Sequence, residues 1–186
     1  QTTGMPKYPA KDDPANHVVS YFGKRLTTSE GNGGNGEGPY IIYDKASGYY
    51  YLFITYGGLS APDGYNTRVF RSKTVDGDYE DASGISGNDA VNKGLKLFDN
   101  YKFASNEQGY LSGGHSSSLV DKDGKLFHIY HTRFNDGVGS GHQVRVHQMF
   151  TSQNGWLVMM PYEYNGETIS KTGYSGAEIV GTYSFI

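Results

Sequence analysis

Residues 31–72 read GNGGNGEGPYIIYDKASGYYYLFITYGGLSAPDGYNTRVFRS, and this stretch decides the fold. Two runs of aromatic and β-branched residues, 40–43 and 49–56, flank a turn that contains Gly48, and a third run follows at 68–72. Such runs predict an antiparallel hairpin extended by a third strand. Glu37 stands between the glycine-rich approach and the first run. We therefore expect a carboxylate at the mouth of a β-strand, where rigid sheets present catalytic groups, and Glu37 is the leading functional residue.

The same pattern recurs 77 residues later. Asp44 aligns with Asp121 (121 − 44), and a second landmark, a pair of arginines, gives the same offset. A repeat of antiparallel strands and short turns predicts blades of a β-propeller, and therefore an all-β fold. The offset carries Glu37 to position 114, next to His115. First strands of neighbouring blades converge on the propeller axis, so we expect Glu37 and His115 to face one central pocket.

The amino-acid composition limits the classes of molecule that the chain can bind. The 186 residues suffice for one domain, and 27 glycines with 17 tyrosines indicate a turn-rich β protein. A net charge of −3 with both signs scattered along the chain offers no basic stripe, which argues against nucleic acid and anionic membranes as partners. Cysteine is absent, so any metal must be held by oxygen or histidine. No apolar run approaches the roughly 20 residues of a membrane span. The polar start without Met predicts a mature, processed or partial chain.

Three further residues are candidates for substrate binding. Arg133 follows His131 by two positions on a predicted strand, so both side chains project from one face. Arg133 is expected to hydrogen-bond substrate hydroxyls or to steady the Glu37 carboxyl, with a structural salt bridge as the alternative. Tyr56 and Gly57 end the aromatic hairpin, and Tyr56 is the tyrosine we consider for stacking against a substrate ring, with packing inside the sheet as the alternative. The glycine loop before Glu37 has no preceding strand, no Walker lysine and no following helix, which argues against a phosphate loop.

Four runs carry a family resemblance. In chain order, GEGPYIIYDKASGYYYLFITYGG, YNTRVFRSK, GGHSSSLVDKDGKLFHIYHTRF and MMPYEYNGETIS resemble the second half of an endo-arabinanase of glycoside hydrolase family 43. The resemblance covers nearly the whole chain. It implies a five-bladed β-propeller that cleaves α-1,5-linked arabinan with inversion, with Glu37 as the general acid. It also implies that His115 holds one axial metal ion, usually calcium. Calcium prefers oxygen ligands, so sodium or a water-rich site stays open.

The chain lacks part of what this resemblance implies. An inverting glycosidase needs two carboxyl groups roughly 6.5 to 9.5 Å apart. The family's general base and the aspartate that tunes the acid precede the acid motif, and nothing before Glu37 matches them. Asp12 and Asp13 lie in a proline-rich loop and are interpreted as structural. At 77 residues per repeat the chain amounts to 186/77, or about 2.4, blades. We expect residues 1–186 to form a partial propeller, the last two to three blades, with no second domain.

An open arc of blades leaves unpaired strand edges, so we expect a second polypeptide to supply the N-terminal half and the catalytic aspartates. The predicted function is hydrolysis of arabinan outside the cell, by a secreted or periplasmic enzyme that is active only when complete. Two alternatives remain: an exo-acting arabinofuranosidase or β-xylosidase on the same fold, and a catalytically silent carbohydrate-binding partial propeller. The presence of Glu37 together with His115 favours an enzyme.

Overall fold

The computed structural model describes residues 24–33, 36–60, 64–134, 141–170 and 172–183. The regular secondary structure of these segments is almost entirely β-strand, which confirms the predicted all-β class. Their one helix has four residues, and no helix among them is long and apolar enough to cross a membrane. The strand predicted at 18–22 and the residues Asp12 and Asp13 lie outside the described residues. The elements are β1 (Glu37–Asp44), β2 (Tyr49–Tyr56), β3 (Asn66–Ser72), β4 (Leu95–Phe98), β5 (Tyr110–Val120), β6 (Leu126–Phe134), β7 (Gln143–Thr151), β8 (Leu157–Met159) and α1 (Gly176–Ile179).

The strands form two four-stranded sheets, ordered β1-β2-β3-β4 and β5-β6-β7-β8. Every pair of neighbours is antiparallel, so each sheet is a simple meander. The predicted hairpin of β1 and β2, with β3 as its third strand, is confirmed. Strands β6 and β7 begin 77 positions after β2 and β3 (126 − 49 and 143 − 66), so the repeat read from the sequence relates the two sheets.

One aspartate closes the first turn of each sheet, Asp44 in the first sheet and Asp121 in the second. The Asp44 carboxylate accepts hydrogen bonds from the backbone N–H groups of Ala46 and Ser47, at 3.0 and 3.1 Å. Asp121 likewise accepts from the backbone N–H groups two and four residues further along, both at 2.8 Å. Aspartate favours turns because its side chain can bind the backbone in this way. The aligned aspartates therefore mark equivalent hairpin turns.

Strand β2 is buried on both faces, because residues 51–56 are all buried. Alternate side chains of a strand point to opposite faces. One face joins a cluster shared by both sheets, and the other joins a second cluster over the first sheet. The shared cluster contains Ile42, Tyr51, Phe53, Val69, Leu126, Met149 and Leu157, and the second contains Leu52, Ile54, Tyr56, Phe70 and Tyr79.

The second sheet leaves apolar side chains exposed on its other face. Leu126 and Met149 point into the shared cluster, so their immediate neighbours along the strands point away from the first sheet. The apolar side chains exposed on this outer face include Leu119, Val144, Val146 and Val158. An uncovered apolar sheet face of this kind is typical of a surface that packs against another element.

Candidate active site

Glu37 is the first residue of β1, and its side chain is 45% exposed. The pairing with β2 shifts register between Glu37 and Tyr40, so the strand begins with an irregularity. Gly38 follows with a φ of 58°, and a Cβ there would lie 3.2 Å from the Cα of His115. Glycine thus lets the start of β1 approach β5. The carboxylate stands at a strand end, as the sequence predicted.

Two side chains face the Glu37 carboxylate. The Tyr65 hydroxyl donates a hydrogen bond to Oε1, and His115 Nδ1 lies 4.0 Å from Oε2. The structure therefore brings Glu37 and His115 together, as expected from the repeat. Burial raises the pKa of Tyr65 above its ordinary value, and the hydrogen bond and charge of Glu37 add to the rise. The Tyr65 hydroxyl is therefore a hydrogen-bond donor at neutral pH.

The backbone around His115 is tightly constrained. His115 has a φ of 46°, and its N–H donates to the Thr55 hydroxyl at 2.8 Å. A Cβ on Gly113 would lie 1.9 Å from Phe98 Cε1, and one on Gly114 would lie 2.4 Å from Thr55 Cγ2. The two glycines are thus required by the close approach of the first sheet. His115 is presented where the two sheets meet, with its side chain 58% exposed.

A second histidine completes one wall of the site. The His131 ring lies 5.8 Å from the Tyr65 ring and 6.4 Å from the His115 ring, nearly parallel to both. Its Nδ1 lies 2.9 Å from Nδ1 of His142, so one of these two nitrogens carries the hydrogen. Burial lowers the pKa of His131, and the neighbouring imidazole of His142 lowers it further. The sequence pattern places His131 on one strand face with Arg133, and nothing in it singles out His142.

Arg133 is bound to protein groups. Its Nη2 donates to the carbonyl of Leu59 and, at 2.9 Å, to the hydroxyl of Ser112. Ser112 itself has a φ of 54°, and its hydroxyl donates to the same Leu59 carbonyl at 2.9 Å. Within the described segments Arg133 forms no ion pair, so its contacts differ from the salt bridge considered as the alternative. The guanidinium ties the loop after β2 to the second sheet.

Tyr56 and Gly57 lie apart from these contacts. The Tyr56 ring is fully buried in the second cluster, so it has no face on which a sugar could stack. Gly57 is half-buried and lines a polar surface cavity of about 500 Å³. Other residues around this cavity are Asn32, Gly64, Asn66, Arg68 and Lys96.

The metal expected at His115 has few candidate ligands among the residues that the structure describes. Among the described residues, no three histidine, aspartate or glutamate side chains converge as a metal site. Calcium takes six to eight oxygen ligands, and His115 offers one nitrogen beside a single carboxylate. The residues present therefore do not form a calcium shell by themselves.

Comparison with known proteins identifies the family. Residues 11–157 match the model of glycosyl hydrolases family 43, and the chain belongs to this family. It is 45% identical over 179 residues to the extracellular endo-alpha-(1->5)-L-arabinanase of Thermotoga petrophila, covering 89% of this chain and 37% of that protein. It is 42% identical over 182 residues to the extracellular endo-alpha-(1->5)-L-arabinanase 2 of Bacillus subtilis, covering 89% of this chain and 38% of that protein.

Comparison with solved structures finds the same fold in a known arabinanase. The crystal structure of the Thermotoga petrophila endo-1,5-alpha-L-arabinanase in complex with TRIS superimposes with a TM-score of 0.77 at 44% identity. The match covers 87% of this chain and 37% of that structure. The chain therefore spans a little over a third of the length of these relatives. The family resemblance read from the four sequence runs is confirmed.

Proposed function

We propose that this chain carries the general acid of an extracellular hydrolase of α-1,5-linked arabinan, and that Glu37 is the acid. The observation that carries the proposal is the placement of the Glu37 carboxyl. It stands at a strand end, half exposed, with one oxygen bound by buried Tyr65 and the other facing His115 of the second sheet. Family membership supports the reaction class, and two relatives named endo-arabinanases support the substrate and the extracellular location.

The proposed reaction is a single displacement with inversion. Glu37 gives its proton to the glycosidic oxygen while the bond from C1 to that oxygen breaks and the bonding electrons pass to the oxygen. A carboxylate on the opposite face removes a proton from the attacking water. We assign that base, and the aspartate that tunes the acid, to the N-terminal half of the catalytic domain. Arg133 fixes the loop that begins at Gly57, so both residues act on substrate binding through the shape of that loop.

We propose that the two sheets are two blades of a five-bladed propeller, with residues 1–186 supplying the last two to three blades. The apolar outer face of the second sheet supports this, because it requires a covering element. The length of the relatives supports it as well, since they extend far beyond the part that matches. The occupant we propose for this face is the N-terminal half of the propeller, as a second polypeptide.

The axial calcium also remains a proposal. His115 would offer one imidazole nitrogen, and the oxygen ligands that calcium prefers would come from water or from the N-terminal half. A bound cation would add positive charge beside Glu37 and connect sheets that are distant in sequence.

Replacement of Glu37 by glutamine in the complete enzyme tests the proposed function. General acid catalysis contributes roughly 10²- to 10⁴-fold, so Glu37→Gln should lower the turnover of arabinan by about that factor. A nitrophenyl arabino-oligosaccharide should be affected less, because its leaving group needs no proton. Glu163→Gln is the matched control, since Glu163 also accepts a hydrogen bond from a buried tyrosine, Tyr110. Near-normal cleavage of arabinan by Glu37→Gln would refute the assignment. A wild-type assembly that binds but cleaves neither substrate would indicate a silent carbohydrate-binding protein.

A further inference from the structure

Tyr65 is a fixed group beside a half-exposed carboxyl. Its ring is only 2% exposed, and it packs against the backbone of β5, where a Cβ on Gly114 would lie 2.6 Å from Tyr65 Cε1. The His131 ring stacks on it at 5.8 Å. The adjacent Asn66 side chain donates to the carbonyl of Gly64 at 2.6 Å, which fixes the backbone at Tyr65. The hydroxyl is therefore held in place before it binds Glu37.

The two oxygens of Glu37 have different surroundings. Oε1 accepts the hydrogen bond from the Tyr65 hydroxyl. Oε2 lies 4.0 Å from His115 Nδ1, which is beyond hydrogen-bond range. A protonated carboxyl has one accepting oxygen and one oxygen that bears the hydrogen. Because Tyr65 already donates to Oε1, the hydrogen belongs on Oε2.

We propose that Tyr65 is a positioning residue that selects Oε2 of Glu37 as the oxygen that delivers the proton. The inference rests on the proposed function of Glu37 as the acid. During the step, the proton moves from Oε2 to the glycosidic oxygen, the bond from C1 to that oxygen breaks, and the carboxyl becomes a carboxylate. Hydrogen bonds to charged acceptors are stronger than those to neutral ones. The bond from Tyr65 therefore strengthens as the reaction proceeds, which stabilises the transition state more than the bound substrate.

Tyr65→Phe in the complete enzyme tests this role. The substitution removes one oxygen atom and keeps the packed ring. We expect kcat on arabinan to fall about 10- to 100-fold, with KM changed little, because the lost interaction is strongest in the transition state. The loss on a nitrophenyl arabino-oligosaccharide should be much smaller. Circular dichroism and thermal melting check that the variant is folded.

Tyr110→Phe is the matched control. Tyr110 is also buried, and its hydroxyl donates to Oε1 of Glu163 at 2.8 Å, with the Glu163 side chain 41% exposed. Loss of the Tyr110 hydroxyl should leave kcat unchanged on both arabinan and the nitrophenyl arabino-oligosaccharide. The double variant Glu37→Gln with Tyr65→Phe should be no less active than Glu37→Gln alone, whereas a purely structural role would add a further loss.

The outcomes separate the two proposals. An unchanged kcat in Tyr65→Phe, or an equal loss of activity on both substrates, overturns the positioning role. In that case Glu37 is still the acid if Glu37→Gln is inactive on arabinan. Normal arabinan cleavage by Glu37→Gln overturns the proposed function itself. A leaving-group-dependent loss in Tyr65→Phe that disappears in the double variant supports both.

Discussion

The hydroxyl of Thr55, a fully buried residue of the first sheet, accepts a hydrogen bond of 2.8 Å from the backbone N–H of His115 in the second. His115 has a φ of 46°, in the left-handed region that costs an ordinary residue about 1–2 kcal/mol. The bond therefore helps to hold an unfavourable backbone conformation beside Glu37. It also sets the position of one sheet relative to the other at the candidate active site.

Thr55→Val should destabilise the protein and lower its activity. Valine has nearly the same shape but leaves the His115 N–H without its acceptor, which costs about 1–3 kcal/mol in a buried place. Urea unfolding and arabinan hydrolysis measure the two effects. Thr67→Val is the matched control, because Thr67 is equally buried and its hydroxyl has no hydrogen-bond partner among the described residues. Equal destabilisation by the two changes would show that the Thr55 bond contributes nothing.

Gly114→Ala should disturb the same place by crowding. The added methyl would lie 2.4 Å from Thr55 Cγ2 and 2.6 Å from Tyr65 Cε1, closer than side chains pack. Such overpacking costs about 1–3 kcal/mol, and activity should fall because Tyr65 shifts. Gly141→Ala is the control, since nothing lies within 4 Å of a Cβ there. A melting temperature equal to that of the wild type in Gly114→Ala would contradict the close approach of the two sheets.

Acid should destabilise the fold through His128. Burial, with a smaller effect of His147, lowers the pKa of the fully buried His128 to about 3. Between about pH 6.5 and 3, His128 is therefore protonated in the unfolded chain but not in the folded chain. The free energy of unfolding falls as the pH drops through this window. The slope from this group reaches about 1.4 kcal/mol per pH unit. Urea unfolding between pH 7 and 4 measures it.

The His128→Phe variant isolates this contribution. Phenylalanine cannot be protonated, so the variant should lose less stability per pH unit than the wild type, whatever its stability at pH 7. If the free energy of unfolding changes equally with pH in both proteins, His128 does not cause the loss of stability in acid.

Removal of calcium should act through His115. If this imidazole is one ligand of the axial ion, a chelator should lower the melting temperature and the activity of the complete enzyme. His115→Ala should show the lower values from the start and no further response to the chelator. His142→Ala is the control and should respond to the chelator like the wild type, because the His142 ring contacts His131 and not His115. A melting temperature that the chelator leaves unchanged would count against the metal.

The outer face of the second sheet should be an interface. Expressed alone, the chain should aggregate or stay partly unfolded and should not cleave arabinan. Co-expression with the N-terminal half of a relative's catalytic domain should give a soluble, active complex. Val146→Glu should prevent assembly, whereas Val91→Glu, an exposed valine away from the strands, should not. Sedimentation and activity decide the matter, and a cooperatively folding, active monomer would disprove the partial propeller.

The sequence was most informative where structure is local or repeated. Aromatic runs around a short turn predicted β1 and β2, and the 77-residue offset predicted that Glu37 and His115 meet. Strand β4 was missed because its four residues, LKLF, give too short a pattern to distinguish from a loop. Its pairing with β3 is set by tertiary packing.

The partners of Glu37 were harder to predict. Tyr65 lies between glycine and asparagine in a stretch that reads as a turn, and its contact with Glu37 spans 28 residues. It lies directly before the observed strand β3, but three residues before the run predicted at 68–72, so the pattern did not single it out. Tyr56 was misleading for a different reason. It ends a run of aromatic and β-branched residues without polar alternation, and such a run is itself typical of a strand covered on both faces, which indicates burial of Tyr56 and not sugar stacking.

The two-sided burial of β2 also bears on how the chain avoids self-association. YYYLFITY is eight residues of high β-propensity with no charge and no proline, the kind of segment that stacks into intermolecular zippers when exposed. In the fold both of its edges are paired, by β1 through the turn at 45–48 and by β3 after the connection at 57–65. The turn between β1 and β2 is only four residues long, so closing it costs little chain entropy. The hairpin that carries Glu37 therefore pairs one edge of this segment and β3 pairs the other, so neither edge is left as a template for another chain.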